Sequence, residues 1–319
     1  MPPGSQDLLA GDVRRRRKVQ GVWFDLAGER GYDEVIPPSF EYEEVFTLGA
    51  GPDLGAKLLR FVDRDGRLVA LRADFTSSIA RIAATRLASA PLPLRLCYGG
   101  KVYRQVVEGG GQRREMFQLG AELIGAGGPE ADVEVIRLAL ETLNALSIQD
   151  FQINVGDIRF IQPLLQEFDD ALALEVREAI DRKDRAALAV LGARARLPGN
   201  VERALHELPV LIGRANVLDR AADLTVSEVA VSAIERLRAI DGLLEPHERD
   251  RIVYDLGEIR GLGYYTGIRF EVFVAGVGRA IGSGGRYDAL FGLYGLDRPA
   301  VGFALETDEI AEILAAAEE

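Results

Sequence analysis

The apolar positions of this chain recur with two periods, and the period changes along its length. Over residues 12–30, Val19, Val22, Trp23 and Leu26 form one stripe at helical spacing, with Asp12 placed to cap the helix. Gly31 stops it, and Tyr32–Ile36 reads as a short strand ended by Pro37 and Pro38. LRFVDRDGRLVALR predicts a hairpin with Asp65-Gly66 in its turn. Thr76–Leu87 reads as a helix. LRLCYGGKVYR and REMFQLGAELIG are strand-rich runs joined by the loop Glu108–Gln112. Pro129–Leu146 is an amphipathic helix on Val133, Ile136, Leu140 and Leu143, and Phe151–Val155 is a strand. Residues 157–255 are rich in Ala, Leu, Arg and Glu at helical spacing. Strands return at Ile268–Ala275, Arg279–Ile281 and Ala300–Leu305, before a short helix over Thr307–Ala317.

This order of strands, helices and strands lacks steady βαβ alternation. It predicts an α+β fold, an antiparallel sheet flanked by helices with a helical insertion over residues 157–255, rather than a doubly wound parallel sheet.

Composition narrows the chemistry. The 319 residues carry 38 basic and 50 acidic side chains, a net charge of −12. Such a chain is a poor general nucleic-acid binder, because phosphates need a positive field. The single cysteine, Cys97, permits no internal disulfide and fits a reducing cytoplasm; within its apolar strand it reads as a buried small hydrophobe. No apolar run approaches the ~18 residues of a membrane span, and the N-terminus does not read as a signal peptide. Two histidines, His206 and His247, leave almost no soft ligands, so zinc and Cys/His nucleophilic chemistry are excluded and no cofactor is expected.

Several motifs invite a sharper reading than they bear alone. GAGPDLG (Gly49–Gly55) has dinucleotide-loop flavour but the wrong glycine spacing and no βαβ context, so a loop is expected. Gly109–Gln112 reads as a hairpin tip, and GSGGRYD (Gly282–Asp288) as a sharp turn at a strand end. The basic run Arg14–Lys18 opposes the dipole of its own helix; a solvated face is the preferred reading over an anion or partner contact.

The joint order of four blocks is more specific: LRADFTSSIAR (Leu71–Arg81), YRQVVEGGGQRREMFQLGAE (Tyr103–Glu122), IRGLGYYTG (Ile259–Gly267), and GSGGRYDALF with PAVGFAL (Gly282–Leu305). Together they resemble the catalytic core of histidyl-tRNA synthetase, a class II aminoacyl-tRNA synthetase. They are closer still to the shortened synthetase-like regulatory subunits of ATP phosphoribosyltransferase, which carries out the first step of histidine biosynthesis. GYDEVIPPSFEYEEVF is similar to class II motif 1, the dimer-forming element, and the second block to motif 2. The resemblance implies one synthetase-like domain over residues 1–319, without an anticodon-binding domain.

It also implies a histidine-like pocket. Free histidine needs a carboxylate and neutral oxygens for its ammonium, a cation for its carboxylate, and partners and a wall for its imidazole. Asp74 and Thr76 stand where the synthetases hold the ammonium, although Asp is one carbon shorter than their usual Glu. Gln118 would bridge ammonium and carboxylate, and Arg260 would pair the carboxylate. Glu122, Tyr264 and Tyr265 would hold and wall the imidazole. Taken singly, these tyrosines read as core packing, and Glu122 and Arg260 as a structural ion pair.

The nucleotide machinery departs from the pattern. Arg104 keeps the first motif 2 arginine, but Val106 and Val107 replace the acidic and basic residues after it, and Gly263 replaces an Asp. Glu309 stands where motif 3 carries its arginine. A carboxylate beside a triphosphate repels by roughly a kcal/mol or more. The resemblance therefore implies a non-catalytic regulatory subunit. It would assemble with the short-form catalytic subunit in a hetero-oligomer, dimerise with itself, sense histidine, and take neither tRNA nor membrane as partner. Two alternatives stay open: a class II ligase activating an amino acid for a non-tRNA acceptor, and a purely structural synthetase-like accessory module.

Overall fold

The computed structural model describes residues 1–105, 113–258 and 265–318, apart from the side chains of residues 50–53. In chain order the elements are α1 (Ala10–Glu29), β1 (Asp33–Glu34), β2 (Phe40–Tyr42), α2 (Glu43–Gly55), β3 (Arg60–Val62), β4 (Leu68–Leu71), α3 (Thr76–Arg86), β5 (Leu94–Tyr103), β6 (Glu115–Ile124), α4 (Pro129–Ala145) and β7 (Phe151–Asp157). They continue with α5 (Ile158–Leu165), α6 (Asp170–Asp181), α7 (Arg185–Ala195), α8 (Gly199–Glu207), β8 (Ile212–Gly213), α9 (Val217–Ala222), α10 (Glu228–Leu243), α11 (Pro246–Arg249), β9 (Ile252–Asp255), β10 (Ile268–Val274), β11 (Gly282–Arg286), α12 (Leu290–Leu293), β12 (Ala300–Glu306) and α13 (Thr307–Ala316). Two compact units result. The first is residues 1–127, 134–149 and 287–319; the second is 128–133 and 150–286.

In the first unit the strands run β1-β5-β6-β12. The long β5–β6 hairpin and the β6–β12 ladder are antiparallel, but β1 runs parallel to β5. A separate antiparallel sheet, β2-β4-β3, holds the predicted hairpin, with Gly66 at φ +82° in its turn. Helix α1 buries Val19, Trp23 and Ala27, and the Trp23 ring meets Phe303 of β12 edge-on at 5.6 Å. A smaller cluster of Phe46, Leu58, Ala70 and Ala73 sits under α2.

The second unit carries β11-β10-β7-β9-β8, with β7 parallel to β9 and the other pairs antiparallel. Parallel neighbours need a long crossover. Here α5 to α11 supply it, and Leu164, Val201 and Ala204 form part of its core. Asp132, in the first turn of α4, is fully buried between Arg286 (Nε 2.9 Å) and Arg236 (Nε 2.6 Å). Among the described residues no helix is long and apolar enough to cross a membrane.

Several expectations are corrected. The strand pairing is mixed rather than purely antiparallel, because two pairs are joined through crossovers instead of hairpins. The region read as mainly helical also contributes β8 and β9. Gly49–Gly55 is the end of α2, not a loop: it lies against α12, and a β-carbon at Gly49 would collide with Leu290. The strand expected at Arg279–Ile281 is displaced to Gly282–Arg286, the segment read as a turn. Its glycines suit a strand crowded on one face, since a β-carbon at Gly285 would fall 2.7 Å from the Tyr265 ring. Asp12 lies inside α1 and accepts from the Leu9 amide at 3.1 Å instead of occupying the cap position. Cys97 is buried as expected, which pushes its thiol up to about 12.

Candidate functional site

Successive side chains in a strand point to opposite faces, so Gln118, Gly120 and Glu122 share one face of β6. The ladders set their neighbours: Gly100 and Glu306 flank Gln118, Tyr98 and Ala304 flank Gly120, and Leu96 and Gly302 flank Glu122. Glycine is required on this face by close approach. A β-carbon at Gly100 would fall 2.9 Å from both Arg72 Nη2 and Phe75, and one at Gly302 would collide with Glu122 Oε2 and the Tyr287 hydroxyl oxygen. One at Gly120 would fall 2.5 Å from the Tyr98 hydroxyl oxygen, so these missing side chains leave room for Arg72, Phe75, Tyr98 and Glu122.

Glu122 is fully buried. Its Oε1 accepts from Thr76 Oγ1 at 2.8 Å and from the Tyr98 hydroxyl at 3.3 Å. Its Oε2 has no hydrogen-bond partner among the described residues. Burial pushes its carboxyl up to about 8, opposed by the Thr76 hydroxyl and reinforced by the Asp74 charge. A carboxyl in this range sits neutral near pH 7 and ionises when a cation arrives. The Tyr98 ring stacks on Phe75 at 4.2 Å, and Phe75 carries the buried Arg72 guanidinium at 4.0 Å on its ring. Arg72 is spent on structure, donating to the carbonyls of Pro37, Pro38 and Lys101.

Asp74 lies just before α3 and accepts from the Ser77 amide at 3.1 Å. Burial raises its carboxyl, against that hydrogen bond and the Arg104 charge. Arg104 donates Nε to the Ala73 carbonyl at 2.9 Å. Gln118 donates Nε2 to Glu306 Oε1 at 2.8 Å. Burial lifts the Glu306 carboxyl too, opposed by Arg104 and Gln118.

Asp74, Thr76, Arg104, Gln118 and Glu122 therefore form one chain of contacts and fields in the first unit. Among the described residues two hydroxyls hold Glu122, while the Arg260 of the ion pair considered for it lies outside them. Gln118 is engaged by a carboxylate that sequence reading missed. Glu306 lies one residue past the PAVGFAL block, and only the register places it opposite Gln118. Tyr98 was missed as well, its signal being the glycines beside it. Tyr265 belongs to the second unit, where the Arg269 guanidinium lies 5.8 Å from its ring centre. Arg260 and Tyr264 lie outside the described residues, as do Val106, Val107, Gly263 and Gly109–Gln112. Glu309 is buried in the first turn of α13.

A histidyl-tRNA synthetase family model matches residues 4–310. The chain is 41% identical over 308 residues to the ATP phosphoribosyltransferase regulatory subunit of Syntrophotalea carbinolica, covering 95% of this chain and 72% of that one. It belongs to this regulatory-subunit family. The Geobacter sulfurreducens regulatory subunit is 40% identical over 307 residues, covering 95% of this chain and 70% of its own. The crystal structure of an ATP phosphoribosyltransferase regulatory subunit/histidyl-tRNA synthetase from Bacillus halodurans superposes with a TM-score of 0.90 at 29% identity, covering 98% of this chain and 83% of that one. Histidyl-tRNA synthetase from Nostoc sp. PCC 7120 shares the fold alone, with a TM-score of 0.81 at 20% identity over 99% of this chain and 75% of its own. The regulatory-subunit family is the one its four sequence blocks resemble. Its architecture is the class II synthetase fold, with mixed strand pairing.

Proposed function

We propose that this regulatory subunit binds free histidine beside Glu122 and transmits its presence to a catalytic ATP phosphoribosyltransferase subunit in a cytoplasmic hetero-oligomer. The observation that carries the reading is the buried Glu122 carboxyl, held at Oε1 by Thr76 and Tyr98 and without a partner at Oε2 among the described residues. An imidazole N–H is a fitting partner for that oxygen, and an ionised Glu122 would favour the imidazolium. Asp74 would take the ammonium. Gln118, now bonded to Glu306, would turn to the ligand, with Arg260 and Tyr264 completing the set as the family pattern implies. Tyr265 is assigned to the imidazole wall by that pattern alone.

Regulation then follows from linkage. Histidine shifts the complex only as far as its affinities for two arrangements differ. The subunit supplies no bond-making residue: the motif 3 arginine position holds Glu309, and Arg104 is tied to a backbone carbonyl. The motif 1 segment supports self-dimerisation. The net charge of −12 gives tRNA binding little physical basis.

The test is thermal stability of the full chain with histidine, other amino acids or ATP–magnesium. Histidine at ~100 times its dissociation constant should add about 2.7 kcal/mol. Stabilisation by ATP with histidine-dependent pyrophosphate exchange would instead establish an amino-acid-activating enzyme. No response to histidine, alone or with the catalytic subunit, would leave a structural accessory module.

A further inference from the structure

The β5–β6 hairpin has a second face. Glu115 and Phe117 point away from Gln118 and Glu122, and Lys101 lies opposite Phe117 in the ladder. On that face a cavity of about 410 Å³ opens between the hairpin, α1, the N-terminal segment and Asp308 of α13. All of these belong to the first unit. The volume is in the range of small-molecule sites.

The basic run of α1 leads into this cavity. Arg16 donates Nε and Nη2 to Asp308 Oδ1 at 3.0 and 2.5 Å, and its guanidinium lies 5.3 Å from the Phe117 ring centre. Asp308 Oδ2 accepts from the Phe117 amide at 3.1 Å and lies 3.6 Å from Arg113 Nη1. Two guanidiniums thus converge on one carboxylate, both of whose oxygens are already occupied. Lys101 is paired with Glu115. Arg17 is exposed at the rim and, among the described residues, bonds only Gln20 Oε1, at 3.3 Å. Among the described residues Arg16 Nη1 and Arg113 Nη1 have no hydrogen-bond acceptor. The described lining carries four cations, Arg16, Arg17, Lys101 and Arg113, against three carboxylates, Asp7, Glu115 and Asp308, while Arg113 also donates to Glu312 of α13. With those donors of Arg16 and Arg113 still free, the lining suits an acceptor-rich anionic ligand. Donors from α1 and from the start of β6 approach from different directions. That suits a tetrahedral phosphate better than a planar carboxylate, which one arginine satisfies bidentately. Leu8, Val13 and Phe117 add an apolar wall.

We propose that this cavity is a binding site for a phosphate-bearing small molecule, its phosphate held by Arg16, Arg17 and Arg113 and its apolar part lying along Phe117. The site is distinct from the one around Glu122 and does not rest on histidine binding.

The experiment is calorimetric titration of the full chain with inorganic phosphate, phenyl phosphate and acetate at one ionic strength set with sodium chloride. Saturable binding of both phosphates is expected, with phenyl phosphate the tighter. Arg17→Glu should weaken both at least tenfold, and Arg17→Lys should restore part of the loss. Arg17 is exposed and, among the described residues, hydrogen-bonds Gln20 alone, so its variants should fold; an unchanged circular dichroism spectrum verifies this. Binding of acetate as tight as phosphate, no saturable heat with either phosphate, or unaltered affinity in Arg17→Glu would overturn the assignment.

Discussion

Gly302 stands directly opposite Glu122 in the β6–β12 ladder, and a β-carbon there would collide with Glu122 Oε2. The buried carboxyl thus has room for Oε2 because its cross-strand neighbour has no side chain. Gly302→Ala should displace Glu122 or spread the ladder, at a cost of about 1–3 kcal/mol for overpacking. The check is thermal unfolding with and without histidine. Unchanged stability and an unchanged histidine response would contradict the crowding.

The burial of Glu122 has a pH consequence. Its carboxyl is raised to about 8 in the fold from an ordinary 4.5. Between those values the native state holds a proton that the unfolded chain has released. The stability contributed by the neutral acid is complete below pH 4.5 and is lost as pH rises through about 8. Glu122→Gln should flatten this loss and stabilise the chain at pH 9 by on the order of a few kcal/mol. Denaturant midpoints across that pH window measure it; parallel slopes for the variant and the parent would show that Glu122 does not titrate there.

Gln118 and Glu306 make a second cross-strand pair on the same face. Gln118→Leu leaves the Glu306 carboxyl buried without its donor and should cost about 1–3 kcal/mol. Adding Glu306→Gln should recover part of it by removing a charge that Asp308 and Glu309 oppose. A double-mutant cycle on unfolding midpoints reads the coupling. An additive cycle would mean the two side chains do not depend on each other.

In the second unit, Asp132→Asn should be the most damaging of these changes. It removes a buried charge that bridges Arg286 and Arg236. Breaking such a buried network from one side typically costs about 3–5 kcal/mol. Scanning calorimetry should show a lowered transition, and a variant as stable as the parent would refute the bridging role.

Much of this was legible in the sequence. The helical period of α1 and α4, the Asp65-Gly66 turn and the long β5–β6 hairpin follow from spacing and turn chemistry, which are local. The family blocks named Asp74, Thr76, Arg104, Gln118 and Glu122, and the fold links those five through hydrogen bonds and charges, partly by way of Glu306. Illegible were the parallel pairings of β1 with β5 and β7 with β9, and the strand character of Gly282–Arg286. Glycine reads as a turn until a neighbour such as Tyr265 is known to crowd it.

The order of polar and apolar residues determined which segments become helices or strands, and which residue types were available for chemistry. Tertiary structure decided what those residues do. It set Glu306 against Gln118, buried Glu122 with one oxygen unpartnered among the described residues, and drew Arg16 and Arg113 onto Asp308. The physical reason is that ladder register, burial and the sharing of a carboxylate depend on partners far apart in the chain. Local pattern carries no information about the dielectric or the neighbours a side chain will meet.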